Sequence, residues 1–178
     1  MCADLARSFG ARSLVFGAPK NRELNGLTPQ QGFEIAREFF REVAPDYEQR
    51  GVCLCLEANP SEYGCQFVTD SAAAAKLVRA VDRPGFGLHL DTACMHLAGE
   101  DIPQAIRNGF DVLQHFHVSE PFLGSFADPV VDHAGAAETL RALGYSAWVS
   151  LEMRESPSPA EDVSTAVRFL AENYGEER

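Results

Sequence analysis

Short apolar runs alternate with longer amphipathic segments along the whole of this chain. Each run is bounded by glycine, proline or polar residues, a pattern that is typical of strands buried within a sheet. The pattern predicts strands over residues 13–17, 52–57, 86–91, 113–119 and 146–153.

Helical periodicity fills the segments between these runs. The longest of these segments begins at Thr28, which is followed by Pro29 and, three positions after the threonine, by Gln31; this order predicts a capped helix N-terminus. An apolar stripe continues to Val43, and Pro45 is expected to kink or end the helix. Further helices are predicted over residues 1–10, 70–81, 101–108, 133–143 and 158–174.

Strand and helix follow each other repeatedly, without a linker between them. Such alternation is typical of right-handed strand–helix–strand units and therefore of a parallel sheet. We expect a single α/β domain over residues 1–178.

Side chains alternate between the two faces of a strand, so the predicted strands have one apolar face and one polar face. The polar face ends, on four strands, in Glu57, Asp91, His117 and Glu152. Helices on both sides of a sheet would require two apolar faces. A single polar face favours a partial (β/α)8 TIM barrel, in which functional residues lie at the C-terminal ends of the strands.

The four strand-end residues are each about one strand–helix unit apart, so we expect them to project into one mouth of the barrel. A single glutamate at a strand end is usually only solvated, but four such residues on one face predict a common site. Three carboxylates and one imidazole favour Mn²⁺ or Mg²⁺, with Co²⁺ or Zn²⁺ as alternatives. His89 and His115 lie beneath them, where we expect satisfied core positions or contacts that orient the ligands, rather than ligation, and Trp148 is expected to fill the interior.

The stretches that carry these residues form a set in which each member is weak alone. They are Leu56-Glu57, Leu90-Asp91-Thr92, His115-Phe116-His117-Val118-Ser119, Val131-Asp132-His133 and Ser150-Leu151-Glu152-Met153. Together they resemble the xylose-isomerase-like TIM-barrel superfamily. Within it they are similar to the sugar phosphate isomerase/epimerase group, which includes ketose 3-epimerases and hydroxypyruvate isomerase. Residues 14–22 resemble the fourth strand of that family and the loop after it.

The resemblance implies that Glu57, Asp91, His117 and Glu152 bind one divalent metal ion, and that Glu57 and Glu152 are also the acid and base. It implies an isomerase or epimerase of a small sugar, ketose or hydroxy-keto acid that works through an enediolate. The predicted units would correspond to strands 4–8 of the eight in a complete barrel. We therefore expect a chain that lacks the N-terminal units and that folds weakly or associates when alone.

Three positions depart from the ketose 3-epimerase pattern where that family contacts its substrate. Tyr63 stands in place of a glutamate, Cys94 in place of a histidine and Leu123 in place of an arginine. The resemblance therefore leaves the substrate open. The candidate substrate-binding residues are Lys20, Arg22, Tyr63, His96, Glu120 and His133.

Composition narrows the range of partners. The net charge is −11, so the surface repels phosphate backbones and nucleic acid is not an expected partner. No apolar run reaches the ~18 residues of a membrane span, and the N-terminus lacks a signal-peptide pattern. The five cysteines form no CxxC pair, which predicts reduced thiols in a cytoplasmic protein. The expected partner is a small sugar-like molecule, and a homo-oligomer is left open.

Other functions also remain open on the sequence. A metal-dependent lyase or dehydratase could use the same metal and base on an inositol-like ketone. An AP endonuclease of this fold would need additional histidines and a basic surface, which the acidic composition disfavours. The chain could also be an inactive fragment or a subunit that needs a partner. Lys20 and Arg22 could bind a phosphate or carboxylate or could be solvated loop charges. His133 could cap its helix or touch the loop rather than contact a substrate.

Overall fold

Parallel strands form a single sheet in the computed structural model, which describes residues 2–155 and 157–175. The strands are β1 (Ser13–Phe16), β2 (Cys53–Glu57), β3 (Phe86–Asp91), β4 (Leu113–Ser119) and β5 (Val149–Glu152). Each pairs with the next in the order of the sequence. The sheet is a half-barrel, which confirms the predicted α/β class and the partial (β/α)8 architecture.

Helices connect the strands and cover one side of the sheet. They are α1 (Cys2–Ser8), α2 (Pro29–Glu48), α3 (Ser71–Val81), α4 (Thr92–Leu97), α5 (Ile102–Gly109), α6 (His133–Ala142) and α7 (Pro159–Tyr174). Met1, with which the first predicted helix begins, and residues 176–178 of the predicted domain lie outside the described residues. No helix in the described part of the chain has the length and apolar character that crossing a membrane requires.

The longest helix, α2, begins as predicted but does not end where expected. The Thr28 hydroxyl accepts a hydrogen bond from the Gln31 backbone N–H at 3.2 Å, and the Thr28 N–H donates to the Gln31 side chain at 2.9 Å. The helix then continues through Pro45 to Glu48, so of the two outcomes expected at the proline, a kink or an end, the end does not occur. Ala44 is buried against the sheet just before the proline, and such packing stabilises a final turn that lacks one hydrogen bond.

The helix-covered face of the sheet is apolar, as predicted. Its side chains pack with α2, α3, α5 and α6 into one core cluster. They are Leu54, Leu56, Leu88, Leu90, Phe116 and Val118, all of them buried. Removal of this apolar area from water is the main favourable contribution to folding.

A bulge in β4 interrupts the strict alternation of side chains. Leu88 pairs with Leu113 and His89 with His115, so Gln114 is an additional residue on β4. Without it, Leu113 and His115 would share one face. The bulge lets Leu113 join the apolar core while His115 stacks on His89 across the polar face.

The fifth strand is shorter and more exposed than predicted. β5 spans Val149–Glu152 and is half-buried along its length, and Trp148 before it is 73% exposed. The expectation of a buried strand over residues 146–153 with Trp148 as interior filler was therefore wrong. Within the described residues β5 pairs with β4 alone, and an edge strand leaves one of its sides to solvent.

Candidate functional site

Glu57 ends β2, and its carboxylate lies in the mouth of the half-barrel. Its side chain is buried, and the Asn59 amide donates to Oε2 at 2.7 Å. Gly17, directly after β1, leaves room for this carboxylate, because a Cβ at position 17 would overlap Oε2. Burial raises the pKa of Glu57 above its ordinary value, against the opposing effect of the Asn59 hydrogen bond.

Asp91 ends β3 and also caps the short helix α4. Its Oδ1 accepts from the Cys94 backbone N–H at 2.8 Å, and its Oδ2 accepts from the Ser119 hydroxyl at 2.6 Å. Two donors therefore hold the carboxylate in one orientation. Burial raises the pKa of Asp91, and the charge of Glu57 adds to the shift.

His117 and Glu152 form a pair across β4 and β5. His117 Nδ1 lies 3.2 Å from Glu152 Oε2. Burial alone would lower the pKa of His117, but the Glu152 carboxylate and the charge of Asp91 together raise it above its ordinary value. The hydrogen bond with His117 in turn lowers the pKa of Glu152. Each side chain therefore shifts the pKa of the other in the direction that favours its charged form.

The structure groups three of the four predicted strand-end residues directly. Glu57, Asp91 and His117, joined by His89, each offer a ligand atom within 4.8 Å of the other three. Glu152 is not a member of that group as the described side chains stand. It adjoins the group through His117, and it lines the same pocket as Glu57 and Asp91. These residues could hold a metal ion.

His89 was expected to be a satisfied core residue or to orient the ligands, and the structure contradicts the first of these two alternatives. The side chain is 0% exposed, and neither ring nitrogen has a hydrogen-bond partner among the described residues. Glu57 Oε1 lies 3.4 Å from its Nε2. Burial lowers the pKa of His89 to about 3, so the ring is neutral at pH 7.

A pocket lies over the carboxylates, and aromatic side chains form one of its walls. Its lining includes Tyr63, Phe122 and Leu123 together with Glu57 and Glu152. The Phe122 backbone N–H donates to the Tyr63 hydroxyl at 3.0 Å, and the two rings meet edge to face with centroids 5.6 Å apart. Burial raises the pKa of Tyr63 to about 12, so its phenol keeps its proton. An aromatic wall facing carboxylates suits a small molecule with polar and apolar surfaces.

Five of the six predicted substrate-binding residues, all except Tyr63, are not among the described residues that line this pocket. Arg22 is buried, so the alternative of a solvated loop charge was wrong for this residue. It donates to the Glu57 backbone carbonyl at 2.9 Å and to the Asn59 side-chain oxygen, and so it supports the site from behind. Lys20 and His96 are exposed and are not among the described residues that line the pocket.

Glu120 and His133 lie in a separate buried network. His133 Nε2 lies 2.7 Å from Glu120 Oε1, and its Nδ1 lies 2.8 Å from the Tyr174 hydroxyl. The neutral ring can therefore donate to Glu120 and accept from Tyr174. Asp132, rather than His133, caps α6 by accepting from the Gly135 N–H at 3.0 Å. The network connects the last helix to the loop that follows β4.

Sequence reasoning missed two residues that hold the carboxylates in place. Asn59 donates to Glu57, and Ser119 donates to Asp91. Ser119 stands two positions after His117, and Asn59 two positions after Glu57. Alternation along β4 therefore offered a signal that Ser119 would share the polar face, whereas Asn59 lies beyond the end of β2 and carried no such signal.

A known protein family matches this chain over nearly its whole length. A family model described as the xylose isomerase-like TIM barrel matches residues 1–173. The chain belongs to the xylose isomerase-like TIM barrel family. The resemblance inferred from the five stretches of sequence is thereby confirmed.

Two curated relatives of this xylose isomerase-like chain are 3-epimerases by name. L-ribulose 3-epimerase of Mesorhizobium japonicum is 25% identical over 162 residues, which cover 90% of this chain and 54% of that protein. Ketose 3-epimerase of Arthrobacter globiformis is 26% identical over 122 residues, which cover 68% of this chain and 42% of that protein. The chain spans about half the length of these curated relatives.

Solved structures show the same fold at lower sequence identity. The 3-keto-D-glucoside 4-epimerase of E. coli superposes with a TM-score of 0.83 at 17% identity, covering 96% of this xylose isomerase-like chain and 67% of the other. The IOLI protein, in a crystal structure with a bound zinc atom, gives a TM-score of 0.79 at 18% identity, covering 97% and 66%. At these identities the likeness establishes the fold alone.

Proposed function

We propose that this chain carries the active site of a divalent-metal-dependent epimerase or isomerase of a small ketose-like sugar. The observation that carries the proposal is the grouping of Glu57, Asp91 and His117 at the ends of adjacent parallel strands, with Glu152 paired to the histidine. The names of the two curated relatives support the same class of substrate.

In this proposal Glu57, Asp91, His117 and Glu152 would hold one divalent cation. The residues fit such an ion, because two buried carboxylates with raised pKa values share a pocket whose described lining contains no lysine or arginine. A cation would stabilise the charged form of both carboxylates, which burial disfavours. Three carboxylates and one imidazole favour Mn²⁺ or Mg²⁺, with Co²⁺ and Zn²⁺ as alternatives. Bound there, the ion would polarise the substrate carbonyl and stabilise the enediolate.

Glu57 and Glu152 would move the proton. They extend from β2 and β5, which are separated in the sheet by β3 and β4, so they reach the pocket from different sides. One carboxylate would remove the proton from the carbon beside the carbonyl, and the other carboxyl group would protonate the opposite face of that carbon. This arrangement inverts the carbon and favours epimerisation. Return of the proton to the neighbouring carbon by the same carboxylate would instead isomerise the sugar.

Tyr63 would contact the substrate directly, since it lines the pocket beside Phe122. Arg22 would act at one remove by holding the Glu57 backbone and Asn59. Glu120 and His133 would position the loop that carries Phe122, because the Glu120 carboxylate accepts from backbone N–H groups farther along that loop. Lys20, after β1, and His96, on helix α4, would not contact the substrate, because neither is among the described residues that line the pocket.

The proposal also concerns compartment and partners. All five cysteines are free thiols, which supports a reducing compartment such as the cytoplasm. The net charge of −11 argues against nucleic acid as a partner.

The deciding experiment measures exchange of the substrate α-proton with solvent. The chain would be incubated with Mn²⁺ and a panel of ketoses in D₂O, and deuterium incorporation would be followed by NMR. Glu152→Gln removes one proton-transfer group, so we expect exchange to slow by about 10²–10⁴-fold. His96→Ala, an exposed position outside the pocket, is the control and should exchange at the wild-type rate.

Exchange that persists at the wild-type rate in Glu152→Gln would overturn the proton-transfer assignment. Absence of exchange in the wild-type chain with every ketose would overturn the proposed activity. Circular dichroism of each variant confirms that the fold is retained before the rates are compared.

A further inference from the structure

Three imidazole rings lie together on the polar face beneath the carboxylates. His89 extends from β3, and His115 and His117 extend from β4. The ring centroids are 4.1 Å apart for His89 and His117, 5.0 Å for His115 and His117, and 5.3 Å for His89 and His115. One nitrogen from each ring lies within 4.8 Å of the others. The bulge at Gln114 helps to create this group, because it places His115 directly opposite His89.

His89 supplies an independent indication that this group serves a ligand. Its side chain is 0% exposed, and both ring nitrogens lack a hydrogen-bond partner among the described residues. A buried polar group without a partner destabilises the folded state. Leucine or valine at this position would avoid that cost, so a ring nitrogen facing its neighbours points to a bound species.

One ring of the group is also held by a polar neighbour. Ser150 Oγ lies 3.3 Å from His115 Nε2, and such a contact from behind orients a ligating ring.

We propose that His89, His115 and His117 form a second cation site, which takes a nitrogen-preferring divalent ion such as Zn²⁺ or Co²⁺. Tetrahedral zinc with bonds of 2.0–2.1 Å places its nitrogen ligands about 3.3 Å apart. The three nitrogens already lie within 4.8 Å of one another, so small side-chain rotations would bring them to that spacing. All-nitrogen ligands favour these ions over Mg²⁺ and Mn²⁺, which prefer oxygen.

The two sites share His117. An ion among the three histidines would draw that ring away from Glu152, with which it now pairs at 3.2 Å. Zn²⁺ would therefore weaken the binding of Mn²⁺ at the carboxylates. This inference goes beyond the proposed epimerase activity and does not depend on it, because it concerns cation binding alone.

The test measures the affinity of the chain for Zn²⁺ and for Mn²⁺ by isothermal titration calorimetry, in the wild type and in His115→Ala. His115 belongs to the histidine group but not to the carboxylate group. We expect His115→Ala to bind Zn²⁺ at least about tenfold more weakly and to keep the wild-type affinity for Mn²⁺. Retained Mn²⁺ binding also shows that the variant is folded. His96→Ala is the matched control, an exposed histidine whose loss should change neither affinity.

Unchanged Zn²⁺ affinity in His115→Ala would overturn the inference, since zinc would then occupy the carboxylates alone. Co²⁺ provides a second readout through its visible absorption. Four-coordinate cobalt with nitrogen ligands absorbs strongly, and cobalt among carboxylates and water absorbs weakly. We expect a strong band in the wild type that His115→Ala reduces to a weak one; a weak band in both proteins would contradict the proposal. Loss of α-proton exchange leaves these readouts unaffected, so the two proposals fail separately.

Discussion

Leu88 and His89 are neighbours on β3 and lie on opposite faces of one sheet. One face is apolar and covered by helices, and the other is polar. Both side chains are fully buried, at 0% exposure. Leu88 packs in the helix-covered core, where Gly109 of α5 leaves space for one of its methyl groups. His89 lies on the polar face, and its two nitrogens have no hydrogen-bond partner among the described residues.

Burial therefore has opposite effects on the two sides of one strand. An apolar side chain removed from water stabilises the fold by about 1.5–3 kcal/mol, and an unpaired buried polar group costs about 1–3 kcal/mol. Packing on the helix-covered face stabilises the fold, and the unpaired histidine on the polar face destabilises it. Such a local loss of stability is expected where a protein retains residues for chemistry.

The largest effect is expected on the helix-covered face. Leu88→Ala should lower the free energy of unfolding by about 3–5 kcal/mol, because the cavity adds to the lost transfer energy. Urea unfolding followed by circular dichroism measures it. Leu5→Ala at a 58% exposed position is the control and should change stability by less than about 0.5 kcal/mol. A comparable loss in both variants would mean that Leu88 does not lie in a tightly packed core.

His133 tests whether burial of a histidine is costly in itself. It is also buried, at 3% exposure against 0% for His89, but both of its nitrogens have partners. His133→Leu should destabilise the fold by about 2–3 kcal/mol, because it removes the imidazole partner of the Tyr174 hydroxyl and one of the hydrogen bonds to the buried Glu120 carboxylate. The unfolding midpoint in urea is the measurement, and a gain in stability would contradict the network.

Gly17 tests how closely the polar face is fitted. Alanine at this position would overlap the Glu57 carboxylate, so we expect a loss of about 1–3 kcal/mol from overpacking. A double-mutant cycle with Glu57→Ala isolates the contact, since the second substitution opens the space. If Gly17→Ala costs the same with and without the Glu57 carboxylate, the clash is not the cause.

His89→Leu should have the opposite sign to both buried substitutions above. Removing an unpaired buried imidazole is expected to stabilise the metal-free chain by about 1–2 kcal/mol. The same variant should bind Zn²⁺ more weakly than the wild type if the three-histidine site exists. Thermal unfolding with a chelator present measures the first effect, and a fall in melting temperature would show that His89 has a structural partner.

A smaller effect follows from the pKa of His133, which burial lowers against the opposing influence of Glu120. The folded protein resists a proton that the unfolded chain accepts near pH 6.5, so stability falls as the pH drops through that value. Between pH 6.5 and 5.5 the wild type should lose up to about 1 kcal/mol more than His133→Leu. Urea midpoints at the two pH values give this difference, and equal losses would contradict the shift.

Much of the architecture was accessible from the sequence, because strand alternation is a local property. Apolar runs marked all five strands, and counting by twos separated Leu88 from His89 and placed Glu57 and Asp91 at the same end of the sheet. Because only one face of each strand was apolar, the other face was recognisable as the interior of a barrel.

Other features depend on partners that are distant in sequence. The bulge at Gln114 is a property of the pairing between β3 and β4, so no count along β4 alone could reveal it. Arginine in a loop is usually exposed, but Arg22 is buried. The Glu57 carbonyl and the Asn59 side chain accept its hydrogen bonds in the interior. The exposure of Trp148 likewise follows from the position of β5 at the edge, which its own apolar pattern does not encode.

Trp148 is the single tryptophan of the chain, and its indole stands 73% exposed beside the edge strand. An indole in water fluoresces at longer wavelength than one that is shielded. The molecule therefore contains its own optical probe, and a blue shift in its emission would report, without any label, the arrival of whatever covers that side of β5.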